Sequence, residues 1–231
     1  MIRCAIVGIG GYGWRLVEAI REASASADCR LVAAADMDLD DLPERRASLL
    51  EEGVRLFHDA LEMYRQMQDR VDIVYIATGI ASHRMLTVQA ARAGYHVHLE
   101  KPPAGTVQEV DEMLQALREN HRMCLVGFQA VHGRDIYGVK QRIVEGRLGQ
   151  VRTLACHACW PRPARYYQRN EWAGKLRAGG QWVLDGPATN ALAHQINNML
   201  FWASPQAGKF ASPLAVRAEL YTAGDIESHN T

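Results

Sequence analysis

The 231-residue sequence predicts an α/β fold: a doubly wound parallel sheet followed by a smaller, incomplete α+β segment. Three observations predict it. Short β-branched runs alternate with helix-length stretches through the first 130 residues. A glycine-rich turn joins the first run to the first helical stretch. Beyond about residue 130 the alternation gives way to a long segment without clear period. Strands separated by helices of this length pair in parallel, with both faces of the sheet covered.

The predicted strands are Ile2–Val7, Leu31–Ala35, Val54–Phe57, Val71–Ala77, Tyr95–Leu99 and Met123–Phe128. Between them the helical stretches are Tyr12–Ala23, Leu42–Glu52, Ala60–Met67, His83–Ala93 and Val107–Asn120. Gly53 and Gly94 follow two of these, where a helix end favours positive φ. In the last, Val107, Val110, Met113, Leu114 and Leu117 keep a helical period. Six such strands match a dinucleotide-binding sheet.

The second half reads differently. Ile136–Glu145 is a helix ended by Gly146, and Gln150–Trp160 alternates like a strand that Pro161 and Pro163 end. Residues 161–182, rich in Arg, Gly and aromatics, read as a long functional loop. Thr189–Trp202 has helical spacing, and Leu214–Thr222 is again strand-like. One helix and two strands bury a sheet face poorly, so this segment looks unfinished. The two strand-like segments are expected to pair in one sheet with an open or covered edge.

Composition narrows the function. The 26 basic and 26 acidic residues cancel, leaving no net field for nucleic acid or an anionic membrane. No apolar run reaches the ~18 residues of a membrane span. The start, Met1-Ile2-Arg3-Cys4-Ala5, carries no secretory pattern, and five scattered cysteines fit reduced thiols, so a cytoplasmic setting is expected. Cys156-His157-Ala158-Cys159 does not read as a zinc site, since residues 156 and 159 of a strand face opposite ways.

Gly8, Gly10 and Gly13, in Val7-Gly8-Ile9-Gly10-Gly11-Tyr12-Gly13, form G-x-G-x-x-G where the first strand meets the first helix. Gly8 permits the tight turn, Gly10 a pyrophosphate's approach, and Gly13 close helix–strand packing. The helix start, with Gly11 and Tyr12, offers N–H groups and partial positive charge to phosphate. Asp36 ends the second strand, where an acid accepts from a ribose diol. Asp38, Asp40 and Asp41 follow, with no Arg before Arg45, so NAD is favoured over NADP. A short-chain dehydrogenase is excluded, since no Tyr has a Lys four residues on.

At the fifth strand the chain reads His96-Val97-His98-Leu99-Glu100-Lys101-Pro102-Pro103. With the glycine turn, this resembles the Gfo/Idh/MocA family, which includes glucose–fructose oxidoreductase and inositol dehydrogenase. Further matches follow in order: Ile76-Ala77-Thr78-Gly79 with His83, Val126-Gly127-Phe128-Gln129, Gly179-Gly180 with Asp185, and Ile226-Glu227-Ser228, which resembles a late strand. The resemblance implies an N-terminal NAD-binding domain at 1–125 and the start of a substrate and oligomerisation domain at 126–231. It implies a homo-oligomer, dimer or tetramer, and a chain cut off inside its second domain. It places Thr78, His83, Glu100, Lys101 and Gln129 with the glycine turn and Asp36 at the cofactor.

The sequence also departs from the family pattern. Where the family often has Asp-x-Gly-x-His, this chain has Asp185-Gly186-Pro187-Ala188-Thr189, so Thr stands in the histidine's place. Lys101, His194 and Asp185 are the catalytic candidates, with His194 displaced from the usual position. Asn190 and His194, four residues apart, would share a helix face and meet substrate hydroxyls together with Lys101. Tyr167 and Trp172, in the arginine-rich loop, suit a sugar ring. The expected reaction is NAD-dependent oxidation of a secondary alcohol of a sugar, inositol or similar polyol. The alternatives are a non-catalytic NAD-binding or regulatory protein, and an NAD-dependent glycoside hydrolase.

Overall fold

The computed structural model describes residues 1–222, 224 and 226–228. The chain divides between Gly127 and Phe128 into two compact units.

In the first unit, β1 (Ile2–Val7), β2 (Cys29–Ala35), β3 (Arg55–Phe57), β4 (Ile73–Ile76), β5 (His96–Leu99) and β6 (Cys124–Val126) form one sheet. Its order is β3-β2-β1-β4-β5-β6, every pair parallel. The helices α1 (Gly11–Ser24), α2 (Pro43–Glu51), α3 (Ala60–Gln66), α4 (Ile80–Arg92) and α5 (Val107–Glu119) cross between the strands. All six strands and five helices of the sequence reading form, within one to three residues of the expected bounds.

The local reasons are visible at the helix ends. Pro43 opens α2, Asp59 Oδ1 accepts from Glu62 N–H at 2.6 Å, and Thr106 with Glu109 makes a capping box on α5. Gly53 and Gly94 take φ of 74° and 89° after α2 and α4. Leu86, Ala90, Met113 and Leu117 seal one face of the sheet, and Val17, Ile20 and Leu49 the other. Each such fully buried valine, leucine, isoleucine or methionine side chain stabilises by about 1.5–3 kcal/mol.

The register aligns the strand ends. Val7 pairs with both Ala35 and Ile76, Ile76 with Leu99, and Leu99 with Val126. The residues that follow, Gly8, Asp36, Ala77, Glu100 and Gly127, therefore make one rim at the carboxyl edge. The strand order reverses between β1 and β4, which is where such sheets bind ligands.

At the opposite edge Arg3 grips Asp72, Nη2 to Oδ1 at 2.7 Å and Nε to Oδ2 at 3.0 Å. The Arg3 side-chain hydrogen bonds hold the Asp72 carboxyl down to about 2. Because that value lies below the ordinary ~3.9, the stabilisation is present above that range and fades as pH falls toward 2. Thermal melts of Asp72→Asn should show a lower Tm than the unaltered chain at pH 7. The gap should close between about pH 4 and 2; a gap that persists at pH 2 counts against the ion pair.

In the second unit, α6 (Arg134–Val144), α7 (Ala164–Tyr167) and α8 (Ala193–Ala203) accompany a two-residue hairpin, β7 (Arg177–Ala178) and β8 (Gln181–Trp182). Buried Lys140 joins α6 to the end of α8, its Nζ donating to the carbonyls of Phe201 at 2.5 Å, Ser204 at 2.6 Å and Lys209 at 3.1 Å. Burial lowers its pKa, and three acceptors at a helix C-terminus favour its charge.

Three expectations fail here. Gln150–Trp160 and Leu214–Thr222 form no strand and no sheet together, because neither finds a ladder partner among the described residues. Leu214, Val216 and Leu220 are correspondingly exposed. Ile226–Ser228 is no strand either, although Ser228 N–H donates to Gly174 O at 2.9 Å.

Candidate functional site

The glycine turn has the geometry its spacing requires. Gly8 has φ +87°, and a Cβ on Gly13 would lie 2.0 Å from Gly8 O. A Cβ on Gly10 would meet only Asp36 Oδ2, at 4.0 Å, so the backbone is open to a ligand there. α1 starts at Gly11 with no acidic residue in its first turn and no side-chain cap among the described residues. That leaves the helix end positive toward an anion.

Asp36 does more than the sequence indicates. Its Oδ2 accepts from Ile9 N–H at 2.7 Å and Gly10 N–H at 3.2 Å, while Oδ1 accepts from Asp38 N–H at 3.0 Å. The carboxylate thus shapes the turn and keeps acceptor capacity on Oδ1 for a diol. Sequence reasoning missed Arg45, whose Nη1 donates to Ile9 O at 2.6 Å and whose guanidinium lies 5.2 Å from the Trp14 ring centre. Only its place as the first arginine after the acidic run marked it. The turn and Asp36 together fit a dinucleotide.

Along the same rim, Ser82 donates to Gly79 O at 2.8 Å and so receives the Thr78 hydroxyl at 2.6 Å. Glu100 follows β5, with Oε2 accepting from Lys101 N–H at 3.3 Å, and burial raises its pKa. A Cβ on Gly127 would lie 2.8 Å from Glu100 Oε1, so glycine makes room for that carboxylate. The half-exposed Tyr12 has its hydroxyl pKa raised by burial first and then by the Glu100 charge. Lys101 follows, joined to Pro102 by a cis peptide.

His83 corrects the sequence reading. It is fully buried, with Nδ1 2.9 Å from Pro102 O and Nε2 3.1 Å from Thr78 O. Burial lowers its pKa, although both backbone carbonyls oppose that shift. It braces the ends of β4 and β5 and offers no ring nitrogen to a cofactor. Gln129 belongs to the second unit and opens a single 3-10 turn, Gln129–His132.

The second unit holds a groove of about 660 Å³, lined by Trp160, Arg162, Tyr166, Tyr167, Asp185 and Pro187 among others. Asp185 is buried, accepting from Gly174 N–H at 2.8 Å and from Asn190 Nδ2 at 2.7 Å. Trp172 is not in the lining; Arg169 lies over its ring at 5.1 Å. Nor do Asn190 and His194 share a regular helix face. Pro187–Ala191 is a π turn, Leu192 breaks it, and α8 begins at Ala193. Pro187 and Gly186 defeat the helical period that the apolar spacing suggests. His194 packs edge-on against Phe128, ring centres 5.7 Å apart. Thr189, in the place of the expected histidine, donates to Leu184 O at 2.5 Å and accepts from Gly186 N–H at 3.1 Å.

Comparisons with known proteins agree with the fold. The chain is 27% identical over 157 residues to a glycosyl hydrolase family 109 protein of Shewanella, covering 65% of this chain and 33% of that one. It is 24% identical over 163 residues to myo-inositol 2-dehydrogenase of Thermotoga maritima, covering 70% and 46%. Among solved structures, the WlbA dehydrogenase of Bordetella pertussis, determined with NADH and UDP-GlcNAcA, superposes with a TM-score of 0.83 at 26% identity. That match takes in 99% of this chain and 64% of WlbA. The chain therefore spans less than two thirds of the length of these relatives. The profile of an oxidoreductase family with an NAD-binding Rossmann fold matches residues 2–128. By the glycine turn, the sheet it sits on and that match, the chain belongs to the Gfo/Idh/MocA oxidoreductase family, and its cofactor is NAD.

Proposed function

We propose that the protein oxidises a secondary alcohol of a sugar, inositol or similar polyol. The observation that carries this reading is the rim of the first unit, where the glycine turn, Asp36 and Lys101 follow aligned strand ends. Relatives named as inositol dehydrogenases and a sugar-nucleotide dehydrogenase support the substrate class.

Gly8 to Gly13 and the first turn of α1 would hold the pyrophosphate, and Asp36 Oδ1 would accept from the adenosine ribose. His83 fixes the loop that carries Thr78 and the segment that carries Lys101. Bound NAD would supply the acceptor for the hydride of the carbinol carbon. Lys101 would stabilise the negative charge that develops on the carbinol oxygen, and His194 is the candidate acceptor of the hydroxyl proton. Asp185, with its oxygens already hydrogen-bonded, orders the turn before α8 and acts as a positioning residue. Tyr167 lines the groove of the second unit and would offer its ring to a sugar.

A second reading, a member that binds NAD without turnover, draws on Thr189, whose hydroxyl is spent on backbone groups. Mixing the chain with NAD and a panel of sugars and polyols, followed at the NADH absorbance, separates the two. NADH formation with one of them is the expected result; NAD binding without NADH from any supports the second reading, and release of an aglycone from a glycoside supports the hydrolase.

The cofactor preference has its own test. NAD should bind more tightly than NADP, because a 2′-phosphate would face Asp36. Calorimetric titration of Asp36→Ala should show weaker NAD binding and a narrower gap. Tighter NADP binding by the unaltered chain would sink the assignment of Asp36.

A further inference from the structure

We infer that the groove of the second unit takes an anionic sugar, its ring against the tyrosines and its negative group on Arg162. The inference rests on the sugar-alcohol reading above and sharpens the substrate class.

The groove is built for a ring with a charge beside it. Trp160, Tyr166 and Tyr167 contribute aromatic surface, and Pro161 and Pro187 stiffen two of its walls. Its volume of about 660 Å³ lies within the range of small-molecule sites. Arg162 is half-buried in this surface, its guanidinium 4.3 Å from the Tyr166 ring centre and 5.4 Å from that of Trp160. Among the described residues it makes no ion pair and no side-chain hydrogen bond. Its guanidinium carbon lies over both rings, and none of its N–H groups meets a carboxylate among the described residues.

The neighbouring charges do not supply an acceptor. Among the described residues Asp185 is the one carboxylate in the lining, and it lies against Gly174 N–H, Asn190 Nδ2 and Arg169 with no ion pair to Arg162. Arg169 lies a further 3.9 Å from Asp185 Oδ2 and offsets its charge. Arg162 is therefore an uncompensated cation on an aromatic wall. A planar guanidinium fork binds carboxylate or phosphate through paired N–H donors, and stacking fixes its orientation beforehand. A neutral polyol would leave that charge without a partner.

The test uses the full chain with NADH present. Glucuronate, glucose 6-phosphate and UDP-glucuronate are titrated against glucose by calorimetry, so that carboxylate and phosphate are distinguished. In parallel, iodoacetamide modification of Cys159, an exposed thiol of the lining, is followed by peptide mass spectrometry, with exposed Cys156 outside it as the internal control. At least one anionic sugar should bind about tenfold more tightly than glucose and slow modification of Cys159 but not of Cys156. Arg162→Met, which keeps the apolar stem, should lose that preference with little change in glucose binding. Arg162→Lys should recover only part of it. Equal binding of neutral and anionic sugars, no binding of any, or an unchanged preference in Arg162→Met overturns the inference. Binding with protection, but no NADH formation when NAD replaces NADH and the same sugars are added, retains the groove assignment and rejects the oxidation reading. NADH formation from neutral polyols without anionic preference does the reverse.

Discussion

Lys101→Ala should lower turnover about a hundredfold while leaving NAD affinity nearly unchanged. Removing one donor that stabilises developing charge costs roughly 3 kcal/mol of transition-state stabilisation. The separation from cofactor affinity follows from the structure. The glycine turn is ordered by Asp36 and Arg45, and neither contact involves Lys101. Steady-state kinetics on the substrate found in the panel, with NAD titrated by calorimetry, would check both halves. A parallel loss of NAD affinity would mean that Lys101 holds the cofactor instead. His194→Ala should also depress turnover and change the shape of its pH profile. Full activity with an unchanged profile would make His194 a packing residue on Phe128 and pass the proton to another group.

Gly10→Ala and Gly13→Ala should fail in different ways, and the contrast tests the cofactor site. Gly10 has extended backbone, φ −72° and ψ 173°, and nothing closer than 4.0 Å to an added Cβ. Alanine there should leave the thermal melt unchanged yet weaken NAD binding by at least about tenfold, because the methyl enters the space the pyrophosphate needs. At Gly13 the methyl would stand 2.0 Å from the Gly8 carbonyl oxygen, a backbone atom that moves only if the turn moves. That variant should lose about 1–3 kcal/mol of stability as well as NAD binding. Thermal melts beside calorimetric titrations decide it. Retained NAD affinity in Gly10→Ala would remove the phosphate from this turn.

The sheet was legible because its signal is local and redundant. Six apolar runs, each bounded by a helix and several by a glycine, leave few alternatives once parallel pairing is required. Asp36 was legible for the same reason, since the end of β2 follows from the pattern alone. The second half offered weaker cues. Alternation in Gln150–Trp160 and Leu214–Thr222 specifies an amphipathic strand only when a partner strand exists, and pairing is not a property of either segment. Helical spacing across Thr189–Trp202 likewise ignored how Gly186-Pro187 would distort the first turn.

The sequence by itself therefore determined the doubly wound sheet, the glycine turn and the acid that faces it, because periodicity and glycine stereochemistry act within a few residues. The tertiary structure decided what each polar side chain does. His83 became a brace because two carbonyls, Thr78 and Pro102, close on it from segments 24 residues apart in the chain. Arg45 reached back 36 residues to the glycine turn. Asp185, from 23 residues further along the chain, lines the same groove as Arg162 but lies against Gly174 and Asn190, so Arg162 has no carboxylate partner among the described residues. Hydrogen bonds and ion pairs of this kind are set by distance in space, and no spacing in the sequence encodes it.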